Sequence, residues 1–212
     1  NLYITCSPSC GVDNRVYNNV GTCNGGVCNY TIPSELEYFT DDGDKYLWNV
    51  SINDGESTVA TSIRNIHIQS LVVLTLTTNV VNFGNKNVGE NDDTTDDSPD
   101  PFVLRNDGNS VIDVNISALD WLWDTKQFAS SYYQAKADMR PSAPGYPFNA
   151  SGSSITYFNI PNTNLTFIRW FNYTDAYDDA EVDINITVPL DEPAGIKSSQ
   201  LSFTGYYAKI TP

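Results

Sequence analysis

At 212 residues, with 13 Gly, 11 Pro and 13 Tyr, the chain has the length of one large β-sandwich or of one domain with an extension. Only 17% of its residues are charged, yet acids outnumber bases 26 to 11 and the formal net charge is -15. That imbalance repels phosphate backbones and anionic headgroups, so nucleic acid and membrane surfaces are excluded as partners while cations and sugars are not. No run reaches the roughly 20 apolar residues of a membrane-spanning helix. The longest, Leu71 to Leu76, is interrupted by Thr75, and no membrane insertion of the mature chain is expected.

The chain opens at Asn1 without Met and runs at once into Leu2, Tyr3 and Ile4, as expected where a signal peptide has been cleaved from a secreted protein. All four cysteines, Cys6, Cys10, Cys23 and Cys28, fall in the first 28 residues. An even count within one short segment reads as two disulfides in an oxidising compartment, with three connectivities open. Cys6 with Cys10 and Cys23 with Cys28 is favoured, because Pro8 and Gly25-Gly26 permit tight turns. Four thiolates on zinc are the alternative, whereas a c-type haem is excluded, since no Cys is followed by His. Residues 1–60, rich in Gly, Asn and Cys, read as an appended disulfide-containing segment, and 61–212 as the main domain.

Strand signals dominate that domain. Asn65 to Val81 sets Ile66, Ile68, Leu71 and Val73 in an extended pattern with interleaved Thr and reads as the central strand pair. Phe102 to Leu104, Val111 to Ile116, Ile155 to Phe158, Leu165 to Trp170, Val182 to Val188 and Leu201 to Ile210 are further short runs of Val, Ile, Phe, Tyr and Thr. Asn53-Asp54-Gly55, Asn106-Asp107-Gly108-Asn109, Pro144-Gly145, Pro161-Asn162 and Pro193-Ala194-Gly195 punctuate them as turns. Asp120 to Met139 is the best helical stretch, and its serines and β-prone tyrosines reduce the expectation to a short helix followed by a strand. The fold class expected is all-β, an antiparallel sandwich of jelly-roll or immunoglobulin-like type.

Seven Asn-x-Ser/Thr sequons occur, at Asn29, Asn49, Asn115, Asn149, Asn164, Asn172 and Asn185, and covalent N-glycans are expected on several. Asn115 and Asn185 alternate with apolar neighbours and so point outward from half-buried strands. The run Glu90 to Asp100 is an acidic loop in which Asp92, Asp93, Asp96 and Asp97 are candidate calcium ligands, because Ca²⁺ takes many oxygens in irregular geometry. The same run also reads as a solvated charged loop. Further acidic runs are Asp175, Asp178, Asp179, Glu181 and Asp183, placed before a strand, and Asp41, Asp42 and Asp44. No enzyme is expected. His67 is the single histidine, and no phosphate loop, zinc spacing or nucleophile elbow is present. Trp121, Trp123 and Trp170 are residue types that stack on sugars, though tryptophan in a sandwich more often serves the core.

Asn82-Phe83-Gly84, Val88-Gly89-Glu90, the acidic loop and Phe102 to Asn109, then Val188 to Ser199 with Leu201 to Thr204, resemble secreted archaeal surface β-sandwich glycoproteins of S-layer and filament type. More loosely, the strand-loop-hairpin order is similar to filament subunits of the TasA and camelysin type. That resemblance implies a structural subunit of an extracellular filament or pilus-like thread that polymerises with copies of itself by donor-strand complementation. Leu2, Tyr3 and Ile4 are the candidate donor, although a cysteine-rich start is not part of that pattern. A surface-lattice domain and a carbohydrate-binding adhesive module are the alternatives. No catalytic residue and no required cofactor are implied.

Overall fold

The computed structural model describes residues 69–208 throughout, with Glu56, Ser57 and the backbone of the strands between residues 2 and 66. The chain is all-β and antiparallel, with no α-helix among the described residues. It divides into two compact units, Asn1–Ser70 and Leu71–Pro212.

In the first unit, β1 (Leu2–Cys6), β2 (Arg15–Tyr17), β5 (Tyr46–Asn53), β6 (Thr58–Ala60) and β7 (Arg64–Ile66) form a five-stranded sheet. Its order is β2-β1-β5-β6, with β7 also on β5. The candidate donor segment lies within β1, which pairs with β5 along all of its residues, Leu2 with Val50 through Cys6 with Tyr46. β3 (Gly21–Asn24) and β4 (Val27–Tyr30) form a hairpin whose register makes Cys23 and Cys28 Cα partners. The cysteine side chains, Asn29, Asn49, His67 and the Asp41 to Asp44 run lie outside the described residues.

The second unit contains β8 (Leu74–Thr78), β9 (Asn91–Asp93), β10 (Phe102–Asn106), β11 (Ile112–Ala118) and β12 (Tyr133–Met139), followed by β13 (Phe158–Asn159), β14 (Leu165–Phe171), β15 (Asp179–Thr187) and β16 (Leu201–Tyr207). A six-stranded sheet runs β13-β12-β15-β10-β8 with β9 also on β15, and a three-stranded sheet runs β14-β11-β16. Alternation explains the division of faces. On β15, Ala180, Val182, Ile184 and Ile186 turn inward, against Ala135, Ala137 and Leu104 of the flanking strands; on β11, Ile112, Val114 and Ile116 do the same. One hydrophobic cluster takes side chains from both sheets. Phe102, Phe203, Phe167 and Phe158 cross it in a row, with ring centroids 5.8, 6.1 and 6.2 Å apart.

Three expectations are corrected here. Residues 65–81 are not a central strand pair: β7 belongs to the first unit, and β8 is an edge strand of the second. The centre is β15, which begins at Asp179, so of the second acidic run only Asp175 and Asp178 precede the strand, while Asp179, Glu181 and Asp183 lie on its outward face. Between Asp120 and Tyr132 there is no helix; turns carry the chain to β12. Trp123 is buried there and donates its indole N–H to the Tyr132 carbonyl, while Ala129 adopts a left-handed φ of 56° that interrupts any helix.

Candidate functional site

The outward face of the six-stranded sheet is where ionisable groups concentrate. β15 offers Asp179, Glu181, Asp183 and Asn185 on this face; β12 sets Asp138 opposite Glu181, Lys136 opposite Asp183 and Gln134 opposite Asn185. Lys136 bridges the ladder, its Nζ 2.5 Å from Asp138 and 3.2 Å from Asp183. Asp183, only 2% exposed, also accepts the Thr94 hydroxyl at 2.8 Å. Thr94 is fully buried: its N–H donates to the Ile184 carbonyl and its Oγ1 accepts from the Ile184 N–H. That one residue folds the acidic loop onto the sheet, and the two acidic runs meet there through residues 89 positions apart in sequence.

Glu181 is the exceptional group. It is 7% exposed, and its nearest counter-charge is Arg140, at 3.8 Å. Burial pushes its carboxyl up to about 7; Arg140 opposes this, and Asp97, Asp183 and Asp138 reinforce it. Burial likewise raises Asp183 despite Thr94 and Lys136. Tyr157 lies over the same ladder with Lys136 5.6 Å from its ring centre, and its buried hydroxyl has no hydrogen-bond partner. Burial raises that phenol, and the carboxylates of Asp93, Asp183 and Asp138 add to the shift. This face can hold a proton near neutral pH, a perturbation of the kind that marks functional sites and structural ion networks alike.

The candidate calcium ligands are engaged one by one. Asp92 pairs with Lys86 at 2.5 Å, Asp93 accepts from the Thr95 N–H and hydroxyl, and Asp96 accepts from the Ser98 N–H; Asp97 takes a left-handed φ of 58° and faces Glu181. Among the described residues no three His, Cys, Asp or Glu side chains are grouped to hold a metal ion.

A second constellation joins two loops. Glu192, buried, accepts from the Asp124 N–H at 2.8 Å, the Thr125 N–H at 3.1 Å and the Thr125 hydroxyl at 2.7 Å, and pairs with Lys197 at 2.6 Å. Burial alone would raise this carboxyl, but these donors hold it down at about 2. Neither Glu192 nor Thr94 was singled out from the sequence, because nothing in their neighbourhood distinguishes a clasp from an ordinary loop residue.

The edges of the two sheets differ. The outer side of β14 is covered: Asn149 and Ser154 donate their N–H groups to the carbonyls of Arg169 and Phe167, and Asn172 donates to Pro147. On that side of the wide sheet, β13 covers part of β12. On the opposite side β16 pairs only with β11 and β8 only with β10 among the described residues. β16 and β8 approach at one point, where a Cβ at Gly205 would lie 3.3 Å from Leu74 Cβ. Neither Leu74-Thr75-Leu76-Thr77-Thr78 nor Leu201-Ser202-Phe203-Thr204-Gly205-Tyr206-Tyr207 contains a charge or a proline. On the outer face of the narrow sheet, Trp170 (40% exposed) and Tyr206 (39%) flank the buried Asp113, which accepts the Trp170 N–H at 2.9 Å. Trp121 is also exposed, whereas Trp123 belongs to the core.

Comparison with protein-family models, curated proteins and solved structures returns no match to this chain.

Proposed function

We propose that this chain is an N-glycosylated structural subunit of an extracellular filament, its second unit a β-sandwich, and that copies join by strand addition at the β8/β16 side. The observation that carries this reading is the edge of β16, which among the described residues has no second partner and no charge, proline or bulge, with the uncharged but bulged β8 as the other edge on that side. Soluble β-proteins protect long edge strands with lysine, proline, bulges or covering loops, because an open row of N–H and C=O groups templates another strand. Here one side is covered, and on the other, among the described residues, the uncharged, β-prone strands β8 and β16 each have a single partner. A strand laid on β16 adds a ladder of main-chain hydrogen bonds, each net about 1 kcal/mol, together with buried side chains.

The donor in this reading is β1, which leaves β5 of its own chain and lies instead along β16 of a neighbour. Disulfides in the first hairpin and a secreted, archaeal-type surface location complete the proposal, supported by the Cys23–Cys28 register and by the sequence resemblance.

The test is electron microscopy of material released from native cells and of a recombinant variant carrying Leu76→Lys and Thr204→Lys, whose exposed charges guard both edges. Wild-type filaments and folded, monomeric variant are expected. Two-dimensional sheets instead would support a surface lattice, and single particles under all conditions would sink the filament reading. Filaments that dissolve in a chelator would make calcium part of the joint.

One observation favours a second reading, a carbohydrate-binding module: the exposed Trp170 and Tyr206 beside Asp113 on one sheet face. Retardation of the wild type, but not of Trp170→Ala, in gels containing a neutral polysaccharide would support it.

A further inference from the structure

We propose that Asn115 and Asn185 both carry N-linked glycans in the native protein, so that sugar covers the two outer sheet faces of the second unit and leaves the β8/β16 side for subunit contacts. The inference rests on the filament reading for its consequence, and on amide geometry for the sites themselves.

An asparagine becomes glycosylated at Nδ2, so one of that nitrogen's two hydrogens must be free of the protein's own hydrogen bonds. The described sequons share this property. Asn149 accepts through Oδ1 from the Gly152 N–H and the Ser151 hydroxyl, Asn172 from the Tyr173 and Thr174 N–H groups, Asn115 from the Thr166 hydroxyl at 2.8 Å, and Asn185 from Asn91 Nδ2 at 2.7 Å. Asn164 is exposed at the start of β14. In none of the five does Nδ2 donate to another described residue. Outside the sequons, Asn87, Asn91, Asn106 and Asn159 commit Nδ2, to Glu90, the Ile186 carbonyl, the Ser110 and Phe171 carbonyls, and the Ala129 carbonyl, whereas Asn82 accepts from the Gly84 N–H as the sequon asparagines do. The orientation at Asn185 is determined by chemistry. Asn91 Nδ2 also donates to a carbonyl oxygen, so it is a nitrogen, and the Asn185 atom that accepts from it is an oxygen.

The strand positions supply the second argument. Asn115 sits on β11, the middle strand of the narrow sheet, on the face opposite Val114 and Ile116; Asn185 sits on β15, at the centre of the wide sheet, opposite Ile184 and Ile186. Because side chains two apart share a face, each sequon hydroxyl, Ser117 or Thr187, lies on the same outer face as its asparagine. Beside Asn115, the Tyr206 hydroxyl is 2.8 Å from Thr166 Oγ1, which places an aromatic ring where the apolar face of a first sugar can stack.

The donor is a lipid-linked glycosyl pyrophosphate, and a transferase of the host effects the step. The anomeric C1–O bond breaks with its electron pair leaving on the pyrophosphate, C1 bonds to Nδ2, and the amide gives up one proton. A glycan on each outer face blocks face-to-face stacking of subunits, whereas the edges stay bare.

Glycopeptide mass spectrometry of protein from its native cells tests the assignment, with Asn115→Gln and Asn185→Gln expressed in the same host. Hexose- or hexosamine-bearing masses on both peptides are expected, each lost with its own substitution, while both variants keep the wild-type circular dichroism and still form filaments. If either peptide is wholly unmodified in the wild type, the two-face coat is wrong, whatever the microscope shows. If both are modified and no filaments form, the subunit reading fails and the glycan sites stand.

Discussion

Glu181 is an anionic residue placed where an anion is least welcome, enclosed by Asp97, Asp138 and Asp183 with Arg140 at 3.8 Å. Its carboxyl titrates at about 7 in the folded chain against 4.5 as the ordinary value, so between these limits the native state holds a proton that the unfolded chain has released. Stability is therefore greatest below pH 4.5 on this account and falls as pH rises toward 7, by about 3 kcal/mol at most. Glu181→Gln cannot lose that proton. Its melting temperature should match the wild type near pH 4 and exceed it by several degrees at pH 8, and an unchanged difference between the two pH values would refute the assignment. The sequence marks Glu181 and Asp183 only as members of an acidic run. Their burial was illegible, because it follows from Thr94 bringing a loop from 89 residues away onto Asp183.

At the scale of elements, the same alternation that identifies strands concealed the central one. β15 reads Asp-Ala-Glu-Val-Asp-Ile-Asn-Ile-Thr, and its first half carries as many acids as a solvated loop. The partners Lys136, Arg105 and Arg140, with the Thr94 hydroxyl, make those acids tolerable on a sheet face. The loops 119–132 and 189–200 likewise lack regular structure, and Glu192 holds them together. Glu192→Ala strands the Asp124 and Thr125 backbone N–H groups, while Lys197 keeps Asp124, and should cost about 1–3 kcal/mol. Trypsin cleavage after Lys126 and Lys197 should accelerate while the core strands stay protected, and cleavage at the wild-type rate would show the clasp to be dispensable.

For the whole molecule, the phenylalanine row that spans the second unit's two sheets ties them into one core. Phe167 is fully buried between Phe158 and Phe203, so Phe167→Ala should destabilise this unit by about 3–5 kcal/mol in a denaturant titration. A loss below 1 kcal/mol would mean that the sheets do not depend on this contact. The all-β class, the antiparallel pairing, the turns and the outward Asn115 and Asn185 were determined by the sequence itself, since side-chain alternation and turn residues act locally, within a few positions. The identity of the central strand, the meeting of two acidic runs around Glu181, the Glu192 clasp and the choice of which edge is covered were decided only by tertiary structure. Each depends on which distant segments become neighbours, and the free energy that selects them is the burial of the shared core rather than any pattern along one strand.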